Sequence, residues 1–90
     1  MSKTIILHER GIFTKIRAMS NEYRFRILEL TEDDQMSITK LSKMLKLSYT
    51  KCADYVRLLE KDGLVRKTKN GKEVLVKSKV QITKNGIILD

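Results

Sequence analysis

The chain of 90 residues carries 19 Lys and Arg against 11 Asp and Glu, a formal net charge of +8, and 41% of its residues are hydrophobic. This length fits one domain over residues 1–90, and the composition is that of a folded chain rather than a disordered one. The longest apolar runs, such as residues 5–7, are too short to span a bilayer or to direct export, so we expect a cytoplasmic protein without membrane contact. A single cysteine, Cys52, and a single histidine, His8, exclude an intrachain disulfide and a zinc cluster, and no cofactor is expected.

The positive charge is concentrated in the later part of the chain. Residues 1–36 hold six basic and six acidic residues, so their net charge is zero. Residues 37–62 hold six basic and three acidic residues, and residues 63–90 hold seven basic and two acidic ones. A basic excess confined to one part of a folded domain favours a polyanionic partner, most often nucleic acid. The alternative is that the charge only keeps the domain soluble.

The N-terminal part of the chain combines helical spacing with an excess of apolar residues. Residues 4–7 are either a short strand or the first turn of a helix, and residues 12–19 carry apolar side chains at helical spacing. Either Ser20 or Asn21 caps the next helix, which continues to Leu30. The apolar residues of this first segment exceed what so small a monomer needs to bury, which predicts a homodimer contact. The predicted contact residues are Ile5, Ile6, Leu7, Ile12, Phe13 and Ile16, with Ile87, Ile88 and Leu89 as further candidates.

Residues 39–62 have the pattern of two short helices joined by a turn. We expect Thr39 to cap the first helix and Ser48 to cap the second, because a hydroxyl oxygen accepts hydrogen bonds from the unpaired amides of a helix's first turn. Gly63 follows the last helically spaced residue, where a residue in the left-handed conformation commonly ends a helix. A short connection between two such helices is typical of the helix-turn-helix motif.

After the second of these helices the apolar spacing changes from helical to alternating. Two alternating runs, residues 64–69 and 72–76, flank Asn70-Gly71. Asn-Gly between two such runs is the strongest short signal for a β-hairpin, with a type I′ turn. Residues 80–82 predict a further strand, and residues 83–89 predict a last short helical turn.

The predicted turn determines where the lysines of this hairpin lie. An Asn70-Gly71 loop pairs Lys69 with Lys72 and places Lys67 opposite Val74, so that lysines share one face of the hairpin towards its tip. Like charges directly opposite each other are unfavourable, and a nearby phosphate removes that penalty. We therefore expect these lysines to contact phosphates. The alternative is that they only keep an exposed hairpin soluble and unpaired.

A helix, a turn, a second helix and a basic hairpin form the layout of a winged helix-turn-helix domain, an α+β fold with a three-helix core and a hairpin wing. Residues 20–30 resemble the helix that precedes the motif in ArsR-type regulators, residues 36–42 resemble their second helix, and residues 47–65 resemble their recognition helix and the start of their wing. The ending at residues 82–86 is closer to archaeal winged-helix regulators and chromatin-associated proteins. The resemblance implies binding of DNA. Metal-sensing ArsR members carry a cysteine pair near the recognition helix, so Cys52 alone does not carry metal sensing over.

Helical periodicity divides the expected recognition helix into two faces. At about 100° per residue, Cys52, Tyr55, Val56 and Leu59 share one face, which we expect to be buried. Cys52 then acts as a small hydrophobic residue, and a redox sensor is the alternative. A helix in a major groove presents its N-terminal residues to the base edges, which favours Thr50 and Asp54 on the opposite face.

Asp54 has two interpretations that the sequence leaves open. Its carboxylate can accept a hydrogen bond from the amino group of cytosine, or it can pair with Arg57 or Lys51 on a solvated face. The predicted DNA-contacting residues are Ser48, Tyr49, Thr50, Lys51, Asp54, Arg57 and Lys61 of the helix, and Lys67, Lys69, Asn70 and Lys72 of the hairpin.

The leading hypothesis is a sequence-specific, double-stranded DNA-binding transcriptional regulator, a repressor that acts as a homodimer on a palindromic site and is associated with the nucleoid in the cytoplasm. The alternatives are a non-specific architectural or chromatin protein and a winged helix that serves as a protein-interaction module. The sequence has no nucleophile–base pair and no glycine-rich phosphate loop, so we do not expect an enzyme.

Overall fold

A computed structural model describes the backbone of residues 3–5, 21–83 and 86–89, and the side chains of residues 21–81. The described helices are α1 (Glu22–Leu30), α2 (Ile38–Leu45) and α3 (Tyr49–Lys61), and the strands are β1 (Lys3–Ile5), β2 (Met36–Ser37), β3 (Val65–Asn70), β4 (Glu73–Ser78), β5 (Val80–Thr83) and β6 (Gly86–Leu89). The predicted helix over residues 12–19 lies outside the described residues. Three helices followed by an antiparallel hairpin confirm the α+β winged helix-turn-helix prediction.

Each described helix begins at a polar side chain that accepts hydrogen bonds from backbone amides of the first turn. Asn21 Oδ1 accepts from two amides of α1, at 2.9 and 3.3 Å. Ser48 Oγ accepts from the amide of Lys51 at 3.1 Å, as predicted. The predicted cap Thr39 is wrong, because Ser37 Oγ caps α2 by accepting from the amide of Lys40 at 3.0 Å. The helix starts earlier because Ser37 is extended and paired within β2, and the buried Ile38 is already helical.

Two helices end in the left-handed conformation. Gly63, with φ of +75°, ends α3 as predicted, and the amide of Leu64 donates to the carbonyl of Leu59 at 2.9 Å. Lys46 ends α2 in the same way with φ of +57°, and the amide of Leu47 donates to the carbonyl of Ser42 at 2.8 Å. This bond from the residue after the left-handed one closes a Schellman-type ending. The backbone of Lys46 is therefore in a conformation that is sterically unfavourable for a residue with a side chain and that glycine adopts without steric cost.

The hydrophobic core lies between the three helices and the sheet that contains the hairpin. α3 contributes Cys52, Val56 and Leu59, each with no exposed surface. The burial of Cys52 confirms that it is a core residue, and burial raises the pKa of its thiol because the thiolate would lose its hydration. Tyr55, also predicted on the buried face, is only half-buried and packs against the core. The core residues are Ile27, Leu28, Ile38, Leu41, Leu45, Cys52, Val56, Leu59, Leu64, Val65, Val76 and Val80.

The hairpin of β3 and β4 has a different register from the predicted one. Lys69 lies opposite Val74 rather than Lys72, and Lys67 lies opposite Val76 rather than Val74. The reason is the turn: Asn70 stays in β3, and the loop is Gly71-Lys72. Among the described residues of this turn only Gly71 has a positive φ, +63°, which is the pattern of a type II′ turn rather than type I′. Because the shift is two residues, Lys67 and Lys69 keep their predicted common face.

The described strands form two three-stranded antiparallel sheets. In one, β4 lies between β2 and β3, and in the other, β6 lies between β1 and β5. The predicted helical turn over residues 83–89 is wrong, because Gly86–Leu89 is a strand in which Ile87 lies opposite Ile82 and Ile5. Gly86 is a poor helix former, and β-branched isoleucines suit a strand that has partners on both sides. Of the two readings of residues 4–7, the structure has a strand at Lys3–Ile5.

Candidate nucleic-acid interface

The recognition helix α3 presents one exposed stripe to solvent. Thr50, Asp54, Arg57 and Lys61 are all exposed, and they lie opposite the buried side of the helix. At the start of α3 the side chain of Tyr49 is 49% exposed. The helix is therefore fixed to the core by one side, while the predicted base-contacting side is free to face a ligand.

A stack of side chains joins α1 to the first turns of α3. The rings of Tyr23 and Tyr55 stack with centroids 5.8 Å apart and an interplanar angle of 21°. Lys51 Nζ lies 5.2 Å from the centroid of the Tyr55 ring, within the range of a cation–π contact. Lys51, one of the predicted DNA-contacting residues, thus lies against an aromatic pair at the margin of the exposed stripe. Residue spacing does not predict this role for Tyr23, because the contact joins two different helices.

The two charged residues at the centre of the stripe form an ion pair. Arg57 Nη2 donates to Asp54 Oδ1 at 3.3 Å, three residues earlier on the same helix. The structure shows the pairing of Asp54 with Arg57, and the contact of Asp54 with a base stays a prediction. Lys51, the other predicted partner, lies over Tyr55 instead.

The hairpin contributes lysines of two kinds. Lys67 Nζ lies 3.2 Å from Glu60 Oε1, so an ion pair connects β3 to the last turns of α3. Lys69, Asn70 and Lys72 lie at or next to the turn and are exposed. The structure therefore brings the predicted tip residues to the surface, whereas Lys67 lies nearer the domain body and is already paired with an acidic residue.

Further basic residues surround α3 that the sequence analysis did not single out. Lys40 and Lys43 are exposed on α2, and Lys46 is exposed in the turn that leads to α3. Arg66 is exposed on the hairpin. The signal that could have identified the first three was the charge count of residues 37–62, in which they are half of the basic residues. The basic surface thus extends over both helices of the motif.

The described part of the chain has neither a metal-binding cluster nor a membrane-spanning helix. Within it, no group of three or more His, Cys, Asp or Glu side chains is arranged to hold a metal ion. None of the helices it contains is both long and apolar enough to cross a membrane.

The fold defines the class to which this domain belongs, that of winged helix-turn-helix domains. Residues 20–66 match the family described as winged helix-turn-helix DNA-binding, which is more than half of the chain. The chain therefore belongs to the winged helix-turn-helix DNA-binding family. The match covers α1, α2 and α3 and reaches the start of β3.

The individual proteins most informative for comparison are HlyU and an ArsR-like regulator. The transcriptional activator HlyU of Vibrio cholerae is 36% identical over 59 residues, which are 66% of this chain and 55% of HlyU, so the chain spans about half the length of this curated relative. The structure of reduced HlyU from V. cholerae superposes with a TM-score of 0.73 at 31% identity, covering 76% of this chain and 72% of HlyU. The structure of an ArsR-like transcriptional regulator from Rhodococcus sp. RHA1 superposes with a TM-score of 0.66 at 26% identity. The superposition covers 76% of this chain and 64% of that regulator.

A more distant structure shares the fold alone. It is the homodimeric winged helix-turn-helix domain of Mb0332 from Mycobacterium bovis, a possible ArsR-family regulator, with a TM-score of 0.70 at 18% identity, covering 76% of this chain and 63% of that one. The likeness to the ArsR-like regulator from Rhodococcus, at 26% identity, confirms the resemblance to ArsR-type regulators.

Proposed function

We propose that this chain binds double-stranded DNA and regulates transcription, with α3 in a major groove and the β3–β4 hairpin against the flanking backbone. The observation that carries the proposal is the common exposure of the α3 stripe and of the lysines at the hairpin tip. The Glu60–Lys67 ion pair supports it by linking these two parts of the surface. Helix contacts to base edges would then select a sequence, and hairpin contacts to phosphates would supply affinity and register.

The direct test is binding of labelled duplexes by the protein and by variants that lack charge at the hairpin tip. Replacing Lys69 and Lys72 by Gln should weaken binding to all duplexes, because phosphate contacts do not depend on sequence. Arg26→Gln is the matched control, since Arg26 is an exposed residue of α1 outside the helix-turn-helix and the hairpin. Equal affinity of the unmodified protein for selected and random duplexes would favour an architectural protein. Binding that is unaffected by the tip variant would count against the proposed surface.

We further propose a homodimer held by the terminal strands. The register places Ile5 of β1 opposite Ile87 of β6, so the two apolar segments expected at the dimer contact are neighbours in one sheet. The other predicted contact residues, Ile6, Leu7, Ile12, Phe13 and Ile16, lie outside the described residues. The Mb0332 domain, which has the same fold, is homodimeric. A dimer would read two half-sites about 34–36 Å apart, and a monomer in sedimentation at micromolar concentration would contradict it.

The sign of regulation is proposed to be repression. A small domain that covers a promoter blocks access of the polymerase without any additional contact surface, and it would act in the cytoplasm at the nucleoid. HlyU of V. cholerae is a transcriptional activator, so the sign needs its own measurement. A reporter gene placed behind the selected site should fall in expression when the protein is present. A rise in expression would replace repression by activation and leave DNA binding intact.

A further inference from the structure

The ion pair between Asp54 and Arg57 lies in the centre of the surface proposed to meet DNA. Its side chains are 53% and 71% exposed, respectively. Ion pairs between side chains this exposed contribute little to folding stability, because water screens them and two mobile side chains must be ordered. The pair therefore adds little to the stability of the fold, and its main effect is on the hydrogen-bonding groups that this surface presents to a ligand.

The geometry of the pair directs Arg57 towards the N-terminal half of α3. Side chains on a helix lean towards its N-terminus, so a contact with the residue three positions earlier extends Arg57 in that direction. Asp54 holds it there through the bond from Nη2 to Oδ1. This is the half of a recognition helix that meets base edges in a major groove. Without Asp54, the guanidinium would be free to turn to a phosphate, where it carries no sequence information.

The remaining hydrogen-bonding groups of the pair match a defined base. A guanidinium has five N–H donors, and the bond to Asp54 uses one of them. The others form a planar fork, and guanine presents the matching pair of acceptors, O6 and N7, in the major groove. Within residues 21–81, Asp54 Oδ2 accepts no side-chain or backbone hydrogen bond, so it is available to accept from the amino group of a neighbouring base.

We propose that Asp54 is a positioning residue that holds Arg57 to read one guanine in each half-site. This inference rests on the proposed DNA binding and deepens it by naming the base that is read. It also accounts for an acidic side chain on a surface that meets phosphates. The carboxylate lowers the affinity for every duplex by repulsion, and it raises the selectivity of the arginine that it orients.

The test is selection of bound duplexes from a random pool, followed by titration of the selected site and of the same site with the guanine replaced. The variants are Arg57→Lys, Asp54→Ala and Asp54→Asn. Glu29→Gln is the matched control, because Glu29 is an exposed acidic residue of α1, outside the helix-turn-helix and the hairpin. Thermal unfolding of each variant checks that the fold is unchanged, which is expected for exposed helix positions.

The unmodified protein should enrich one guanine per half-site. Arg57→Lys should reduce that preference about tenfold, because an ammonium cannot form the bidentate fork. Asp54→Ala should reduce the preference at the same position while random duplexes bind more tightly. Asp54→Asn should retain part of the preference through its amide oxygen, and Glu29→Gln should retain all of it. If duplexes bind but the guanine preference survives Asp54→Ala, the inference is overturned and DNA binding stands. If no duplex binds at all, the proposed function fails as well.

Discussion

Glu60 near the end of the recognition helix and Lys67 on the first strand of the hairpin form an ion pair with 3.2 Å between Oε1 and Nζ. The pair crosses from one DNA-facing element of the proposed interface to the other. It therefore influences two properties at once: the angle between helix and hairpin, and the number of lysines that are free to meet phosphates.

Glu60→Gln should release Lys67 and increase the affinity for random duplex DNA. Each added phosphate contact steepens the dependence of log affinity on log salt by about 0.9, so the slope should steepen by about that amount per protomer. Because the pair is exposed at the surface, the free energy of unfolding should change by less than about 1 kcal/mol. Fluorescence anisotropy titrations across a salt series measure the slope.

The control for this prediction is Glu29→Gln, which removes an equal charge from an exposed position on α1. An equal change of slope in both variants would show that net charge, rather than release of Lys67, is responsible.

Lys46→Gly should stabilise the domain. Lys46 ends α2 with φ of +57°, a conformation that costs a residue with a side chain about 1 kcal/mol and costs glycine almost nothing. Lys43→Gly, inside the same helix, should destabilise the domain by about 1 kcal/mol because glycine is a poor helix former. Urea unfolding of both variants measures the change in the free energy of unfolding, which should be an increase for Lys46→Gly and a decrease for Lys43→Gly. Destabilisation by Lys46→Gly would contradict the left-handed ending of α2.

Gly63→Ala should destabilise the domain through its backbone alone. Gly63 has φ of +75°, and an added Cβ would meet no atom within 4 Å, so the cost of about 1 kcal/mol comes from the conformation rather than from a clash. Gly63→Asn should cost less, since asparagine tolerates this conformation better than alanine. Chemical denaturation measures the free energy of unfolding of both variants. An equal loss of stability in Gly63→Ala and Gly63→Asn would indicate that the presence of a side chain, rather than the positive φ, is responsible.

Stability should decrease at alkaline pH because of Cys52. Burial raises the pKa of this thiol above its ordinary value, so the folded state holds the proton more tightly than the unfolded state. The stabilisation is complete below the ordinary thiol pKa of the unfolded chain and is lost as pH rises through the folded pKa. The free energy of unfolding, measured from pH 7 to 10, should fall more steeply for the unmodified protein than for Cys52→Ala. Parallel curves for the two proteins would show that the thiol has no part in the pH dependence.

Local sequence patterns predicted the parts of the fold that local physics determines. Ser48 and Gly63 mark the two ends of α3 because a cap and a left-handed residue each act within a few residues. The buried face of α3 followed from helical periodicity for the same reason. The cap of α2 was misplaced at Thr39 because Ser37 is also a hydroxyl residue, and pairing of β2 with β4 selects it.

Contacts between segments that are distant in the sequence could not be predicted from local residue patterns. Asn70-Gly71 permits a loop at Asn70-Gly71 or at Gly71-Lys72, and only pairing along the whole hairpin selects the second. The strand at Gly86–Leu89 pairs with β5 on one side and with β1, at the other end of the chain, on the other side. Its own residue spacing is also compatible with a helical turn, so the pairing decides between the two. The Tyr23–Tyr55 and Glu60–Lys67 contacts likewise join different elements of the candidate site. Residue spacing within one element cannot predict such contacts.

The salt dependence of duplex binding tests the central claim most directly. If the exposed lysines at the hairpin tip contact phosphates, replacing both Lys69 and Lys72 by Gln should reduce the slope of log affinity against log salt by about 1.8 per protomer, and Arg26→Gln should leave it unchanged. An unchanged slope in the tip variant, or an equal reduction in the Arg26 variant, would contradict the assignment of this surface to DNA.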